Sequence, residues 1–164
     1  MADWRGSFPR IPAVAIPREP NRLPLYDFGP HAEDGLITKD PPEGGPGGEE
    51  YAVLVPSVNG DGNEVGGIAM PLVQAPLATY TGWNIRAAGF SPGALAYLSG
   101  STIPFPETRA EREATGDPRA SVEERYPSPH DHMRALTAAA RRLVGEAFLL
   151  EEDYDRMLMT GERD

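Results

Sequence analysis

The chain has 164 residues and no cysteine, with 25 acidic side chains against 15 basic ones, a formal net charge of −10 at pH 7. The acidic balance argues against a nucleic-acid backbone as partner, because phosphate binding needs clustered cations. The lack of thiols excludes disulfides and thiolate metal sites. Eighteen glycines and 18 prolines stand well above the about 12% of average usage. Ten of the prolines fall in the first 56 residues and none lies after Pro129, so the front is expected to be extended and the back free to be helical.

In chain order, prolines at 9, 12, 17, 20, 24 and 30 deny residues 1–30 a useful helix and favour extended or polyproline-like backbone. Leu25–Phe28 and Leu36–Thr38 are short strand candidates. Pro41–Glu50 (PPEGGPGGEE) has linker composition, which predicts an extended arm and linker over 1–48 and a hairpin-plus-helices segment over 49–164. Tyr51–Val58 and Glu64–Met70 read as strands joined by the turn residues Asn59–Asn63, with Pro56 confining the first to an edge. Pro71–Asn84 is expected to continue as extended chain.

The back third carries helix signals. Thr108–Glu111 and Ser121–Glu124 have capping-box spacing. Gly116 sits where a left-handed C-terminal residue is wanted, and Pro127 cuts the second helix short. Ser128 caps a third helix, with Pro129 at its first position and Asp131 in its first turn. Met133, Leu136, Ala140, Leu143, Val144, Ala147 and Phe148 recur at 3–4 spacing and give it one apolar face. Glu151–Thr160 is expected as a last short helix with Tyr154, Met157 and Leu158 inward and Gly161 beyond. The fold class is α+β: a proline-rich extended arm, a β-hairpin region and short C-terminal helices.

Gly89-Phe90-Ser91-Pro92-Gly93 matches the nucleophile-elbow pattern G-x-S-x-G. An elbow builds half its oxyanion hole from the backbone N–H of the residue after the serine, and Pro92 has none. Such a donor contributes about 3–4 kcal/mol of transition-state stabilisation. The segment reads instead as a turn into a short helix Gly93–Leu98 with Ser91 as its cap. His130 and His132 are two apart on a helix, so they cannot share a tetrahedral metal, and they read as solvated polar positions. Asn59, Asp61 and Asn63 have the 1-3-5 spacing of a calcium loop, but Glu64 and Met70 stand where that loop wants glycine and glutamate. The arginines of Arg109–Arg125 alternate with glutamates and read as a salt-bridged surface. Thr79-Tyr-Thr-Gly-Trp-Asn84 is over-specified for packing alone and fits either a pocket lining or a buried Trp83 with local Asn84 hydrogen bonds.

The blocks ATYTGWN, IPF, TRAEREATGDPR and S-x-E-E-R-Y-P, preceded in order by FPRIPAVAIP (Phe8–Pro17), YDFGP (Tyr26–Pro30), GLIT (Gly35–Thr38) and LVPSVNGDGNEVGGI (Leu54–Ile68), carry a resemblance over nearly the whole chain. It resembles the C-terminal end of a family of large bacterial α/β-hydrolase-domain proteins. In that family the nucleophilic serine and the triad histidine lie upstream of the FPRIP block. The resemblance therefore implies a partial, C-terminal segment of an α/β-hydrolase-like protein, with the catalytic body absent and ester-type acyl transfer as the parent chemistry. It implies no catalytic residue, metal or cofactor within this sequence. The implied partner is the upstream hydrolase body, in the same polypeptide or an adjacent gene product, which the segment would cover and whose entrance it would shape. Thr79, Tyr80, Trp83 and Asn84 are the substrate-entrance or interface candidates.

A free-standing protein-interaction module is the alternative. Self-association of the isolated chain is also expected, since the arm and the last helices offer apolar faces. The N-terminal sequence lacks the apolar core of an export signal, and no apolar run approaches the about 18 residues that cross a bilayer. The expectation is a soluble chain without membrane contact, cytoplasmic by default.

Overall fold

A computed structural model describes residues 8–16, 23–51, 55–87, 89–96 and 98–161. The chain divides into two compact units: a larger one of Met1–Ile16, Pro56–Ile85 and Ala96–Asp164, and a smaller one of Pro17–Val55 and Arg86–Leu95.

In the smaller unit, β1 (Tyr26–Asp27) pairs antiparallel with β2 (Glu43–Gly44). Lys39 bridges the Asp27 and Glu43 carboxylates, and the Gly29 N–H also donates to Asp27 at 2.8 Å. The Lys39 ammonium, then the Gly29 N–H, hold the Asp27 carboxyl below its usual range. Two expectations are corrected here. Leu36–Thr38 is exposed and forms no strand, with the Thr38 and Lys39 N–H groups both donating to the Phe28 carbonyl. Pro41–Glu50 is bonded in place: Gly45 N–H donates to Leu25 O at 2.7 Å and Leu25 N–H to Glu49 O at 2.9 Å, around a 3-10 turn at Pro46–Gly48. Proline and glycine here supply turn geometry that lets the chain fold back on 23–27, and composition alone reads the same residues as a linker.

The larger unit is built round β3 (Ala78–Thr81) and β6 (Ser101–Pro104), antiparallel with Thr79 opposite Ile103. Ahead of β3, Pro71–Gln74 forms α1 rather than extended chain. Pro71 stands at its first position, where the missing N–H costs nothing. Two further short strands are β4 (Asn84–Ile85) and β5 (Leu95–Ala96). β5 occupies the stretch expected to be the helix Gly93–Leu98. Of the expected hairpin, the turn is present, with Asn59 N–H donating to Asn63 O at 2.9 Å and a single bridge between Val58 and Glu64. Residues 52–54 lie outside the described residues, and no strand extends through Glu64–Met70.

The helices follow their caps. Thr108 Oγ1 accepts the Glu111 N–H at 3.1 Å at the head of α2 (Arg109–Thr115), and Gly116 closes it with φ +71°. The Glu111 carboxylate binds the Glu107 N–H rather than that of Thr108, so this cap is half a box. The Ser121 box is complete at α3 (Val122–Arg125). Ser128 caps α4 (Pro129–Gly145), and α5 (Glu151–Gly161) packs against it as a helical hairpin. α4 also packs on α1. Leu136, Ala139, Ala140 and Leu143 are buried, with Met133 and Val144 half-buried, whereas Ala147 and Phe148 at the helix end are exposed. Tyr154 and Met157 are half-buried; the Leu158 side chain lies outside the described residues. Phe8 and Ile11, which belong to the arm expected to offer an apolar face, are core residues together with Ala75, Ala78 and Phe105. The described residues are thus α+β, with five helices and small antiparallel ladders, and no helix among them is long and apolar enough to cross a membrane.

The Ser121 box carries a pH dependence. The Ser121 backbone N–H and hydroxyl, with the Arg112 guanidinium, hold the Glu124 carboxyl down to about 2. A carboxyl whose folded-state value is depressed contributes stability above its unfolded value and loses it as pH falls through the folded one. Acidification through about pH 4.5, where an unfolded glutamate is half protonated, towards about 2 should therefore weaken the α2–α3 region. Glu124→Gln should flatten that limb of an acid titration followed by circular dichroism. An unchanged acid limb in the variant would show that Glu124 does not contribute.

Candidate functional site

β3 lies where the expected site block begins, and its surroundings are polar and closed. Thr79 has no exposed surface. Its hydroxyl donates to the Asp61 carbonyl and accepts from the Arg119 guanidinium at 3.0 Å. Arg119, 2% exposed, also donates to the Ile103 and Pro104 carbonyls at 2.9 and 3.0 Å. It forms a fork with the Asp117 carboxylate at 3.0 and 2.7 Å. Burial pushes the Asp117 carboxyl up, but the Arg119 side-chain and backbone donors more than offset it, so the net shift is downward. A buried guanidinium is stable only when its charge and donors are all met, and here one carboxylate, two carbonyls and one hydroxyl meet them.

The opposite edge of β3 is closed by a side chain. The Asn63 amide, with no exposed surface, donates to Ala78 O at 3.1 Å and accepts the Tyr80 N–H at 2.7 Å. Those are the bonds a third strand would make. Asn63 is held there by the turn: Asn59 Oδ1 accepts the Asp61 and Asn63 N–H groups at 2.9 and 3.0 Å. Gly62, at φ +82°, brings the turn against Phe8 and Thr79, where an added Cβ would come within 3.0–3.1 Å of Pro9, Thr79 and Phe8. Asp61 pairs with Arg125, whose guanidinium lies 4.2 Å from the centre of the Phe105 ring. The calcium-like spacing of Asn59, Asp61 and Asn63 thus serves an Asx turn and its anchors. Among the described residues no group of acidic, histidine or cysteine side chains forms a metal cluster.

The structure does not bring the four candidate residues to one surface. Thr79 is buried. Tyr80 is half-buried, and burial raises its phenol above the usual value. Trp83 is half-buried with its ring edge-on to Phe8 at 5.4 Å. Asn84 is exposed, its Oδ1 accepting the Ile85 N–H at 2.7 Å. Arg119 and Arg125 correct the reading of Arg109–Arg125 as solvated throughout. The surface account holds for Arg109, which pairs with Glu113 at 2.7 Å, but the second half of the stretch anchors the core. His132 is corrected as well. It is half-buried against Tyr126 at 4.8 Å, with Nε2 3.1 Å from the Ala75 carbonyl, and so ties α4 to the end of α1. His130 is exposed.

Ser91 stands exposed in the turn between β4 and β5, with φ +46°, its carbonyl accepting the Ala94 N–H at 3.0 Å. The chain leads from this turn into β5, whereas an elbow serine sits between a strand and a helix. Ser91→Ala is expected to leave any ester hydrolysis by a preparation of this chain unchanged. Labelling of Ser91 by a fluorophosphonate probe, read by peptide mass spectrometry, would contradict that.

A family model described as "Alpha/beta hydrolase domain" matches residues 15–159, most of the chain, and the protein belongs to that family. No curated protein and no solved structure matches it.

Proposed function

We propose that this chain is a C-terminal, non-catalytic segment of an α/β-hydrolase-like ester hydrolase, packing on the hydrolase body and shaping its entrance. The observation that supports this reading most is the family match over 15–159 in a sequence whose G-x-S-x-G serine precedes a proline and sits on a turn. The histidines support it too. His132 faces the Ala75 carbonyl, and His31 lies 3.5 Å from Asp34 on an exposed turn. In the larger unit Ile68, Met70, Leu72 and Leu77 are exposed within one short stretch, as a surface covered by another body would be. Trp83 and Asn84, at the exposed end of the β3 block, are the part of the predicted site that this reading places nearest the partner.

The test is hydrolysis of short-chain nitrophenyl esters by the purified chain, alone and with the hydrolase body supplied in trans or by fusion. The expected result is no turnover by the chain alone, with self-association or binding of a hydrophobic dye, and a monodisperse, active species once the body is present. Turnover by the chain alone that Ser91→Ala removes would overturn the reading. A clean monomer that binds no dye and no hydrolase body would favour the second one, a free-standing interaction module using the same exposed side chains.

A further inference from the structure

The Asn59–Asn63 turn contains two dipeptides prone to succinimide chemistry, Asn59-Gly60 and Asp61-Gly62. In both, the glycine nitrogen can attack the preceding side-chain carbonyl carbon, because no Cβ shields it. The structure separates them. Gly62 is buried and its N–H is engaged, donating to the Asn59 carbonyl at 3.0 Å. Asp61 is ion-paired with Arg125, and a paired carboxylate is a poor electrophile. Asn59 and Gly60 are both exposed, and among the described residues the Gly60 N–H makes no hydrogen bond. Asn59 Oδ1 already accepts two backbone N–H groups, from Asp61 and Asn63. Two such donors on a carbonyl oxygen are the arrangement that stabilises a tetrahedral oxyanion in acyl transfer.

We propose that Asn59 is a self-modification site, deamidating through a succinimide formed with Gly60, and that Asp61 is spared. The Gly60 amide nitrogen loses its proton to solvent base and bonds to Asn59 Cγ. The tetrahedral oxyanion collapses and the side-chain nitrogen leaves, protonated by water, as ammonia. Water then opens the ring at either carbonyl, giving aspartate or isoaspartate at position 59, with no redox change. The isoaspartate product adds a methylene to the main chain at the turn that positions Asp61 and Asn63. It is therefore expected to loosen the Arg125 pair and the closed edge of β3.

The test is incubation of the full chain and of a synthetic peptide spanning 57–65 at mildly alkaline pH, followed by peptide mass spectrometry and enzymatic methylation of isoaspartate. The expected result is modification at 59 in the folded chain at least as fast as in the peptide, none at 61, and loss of the signal in Gly60→Ala. That variant places its Cβ in open space, so it tests the chemistry without disturbing packing. Protection of Asn59 in the folded chain relative to the peptide, isoaspartate at 61, or unchanged modification in Gly60→Ala would each overturn the proposal.

Discussion

Arg119→Met is expected to lower the stability of the larger unit by about 3–5 kcal/mol, the cost of leaving one member of a buried ion pair without its partner. Asp117 keeps 6% of its surface exposed and would lose both bonds of the fork. The Ile103 and Pro104 carbonyls and the Thr79 hydroxyl would each lose a donor as well. The effect should be strongly non-additive with Asp117, because removing both charges leaves no buried ion to desolvate. The double variant Arg119→Met/Asp117→Leu should therefore recover part of the loss, and denaturant melts of the two single variants and the double give the coupling. Equal losses that simply add would show that the two residues do not act as one buried unit. Arg119→Lys should rescue little, since an ammonium cannot make the fork or reach three acceptors in one plane.

The second large effect is expected at Asn63. Asn63→Ala should cost about 2–6 kcal/mol, from about 1–3 for each buried group orphaned, here the Ala78 carbonyl and the Tyr80 N–H. It also exposes the edge of β3, and an unpaired edge is a template for strand addition. The variant should thus aggregate at concentrations where the parent does not, which light scattering after mild heating would detect. Asn63→Asp separates the two bonds. Its oxygen still accepts from Tyr80, but a carboxylate facing the Ala78 carbonyl is repelled until it is protonated. Burial raises that carboxyl in the folded state, so the sign is opposite to Glu124: the variant should gain relative stability as pH falls. A wild-type-like melt for Asn63→Ala would show that water replaces the amide at no cost.

Local rules carried the helical end of the chain. Ser121, Ser128, Pro129 and Gly116 each act within one turn of backbone, and the elements they start or stop stand where the spacing put them. The same kind of reasoning failed where a residue's role depends on what it meets from far along the chain. Arg119 and Arg125 look like Arg109 in a run of alternating charges, but they reach residues 40 and 64 positions away. A partial signal was present, since Gly116-Asp-Pro-Arg119 places a turn and an acid two residues ahead of an arginine, the spacing of the observed fork. Nothing local says that the fork is buried.

Pro71 and Pro92 show the same limit from the side of the backbone. Proline forbids a helix interior but permits a helix start or a turn, so Pro71 could open α1 and Pro92 could stand in the turn before β5. Spacing did not choose between those outcomes and extended chain. The sequence by itself determined the family, the acidic balance, the helix caps, and the missing backbone N–H after Ser91, because each rests on residue identity or on contacts within a few positions. Only the tertiary structure decided that Asn63 closes β3, that Arg119 is buried with Asp117, that Phe8 and Ile11 are core, and that Thr79 and Asn84 part company. Burial is a sum over neighbours brought together by folding, and one position in a chain does not record it.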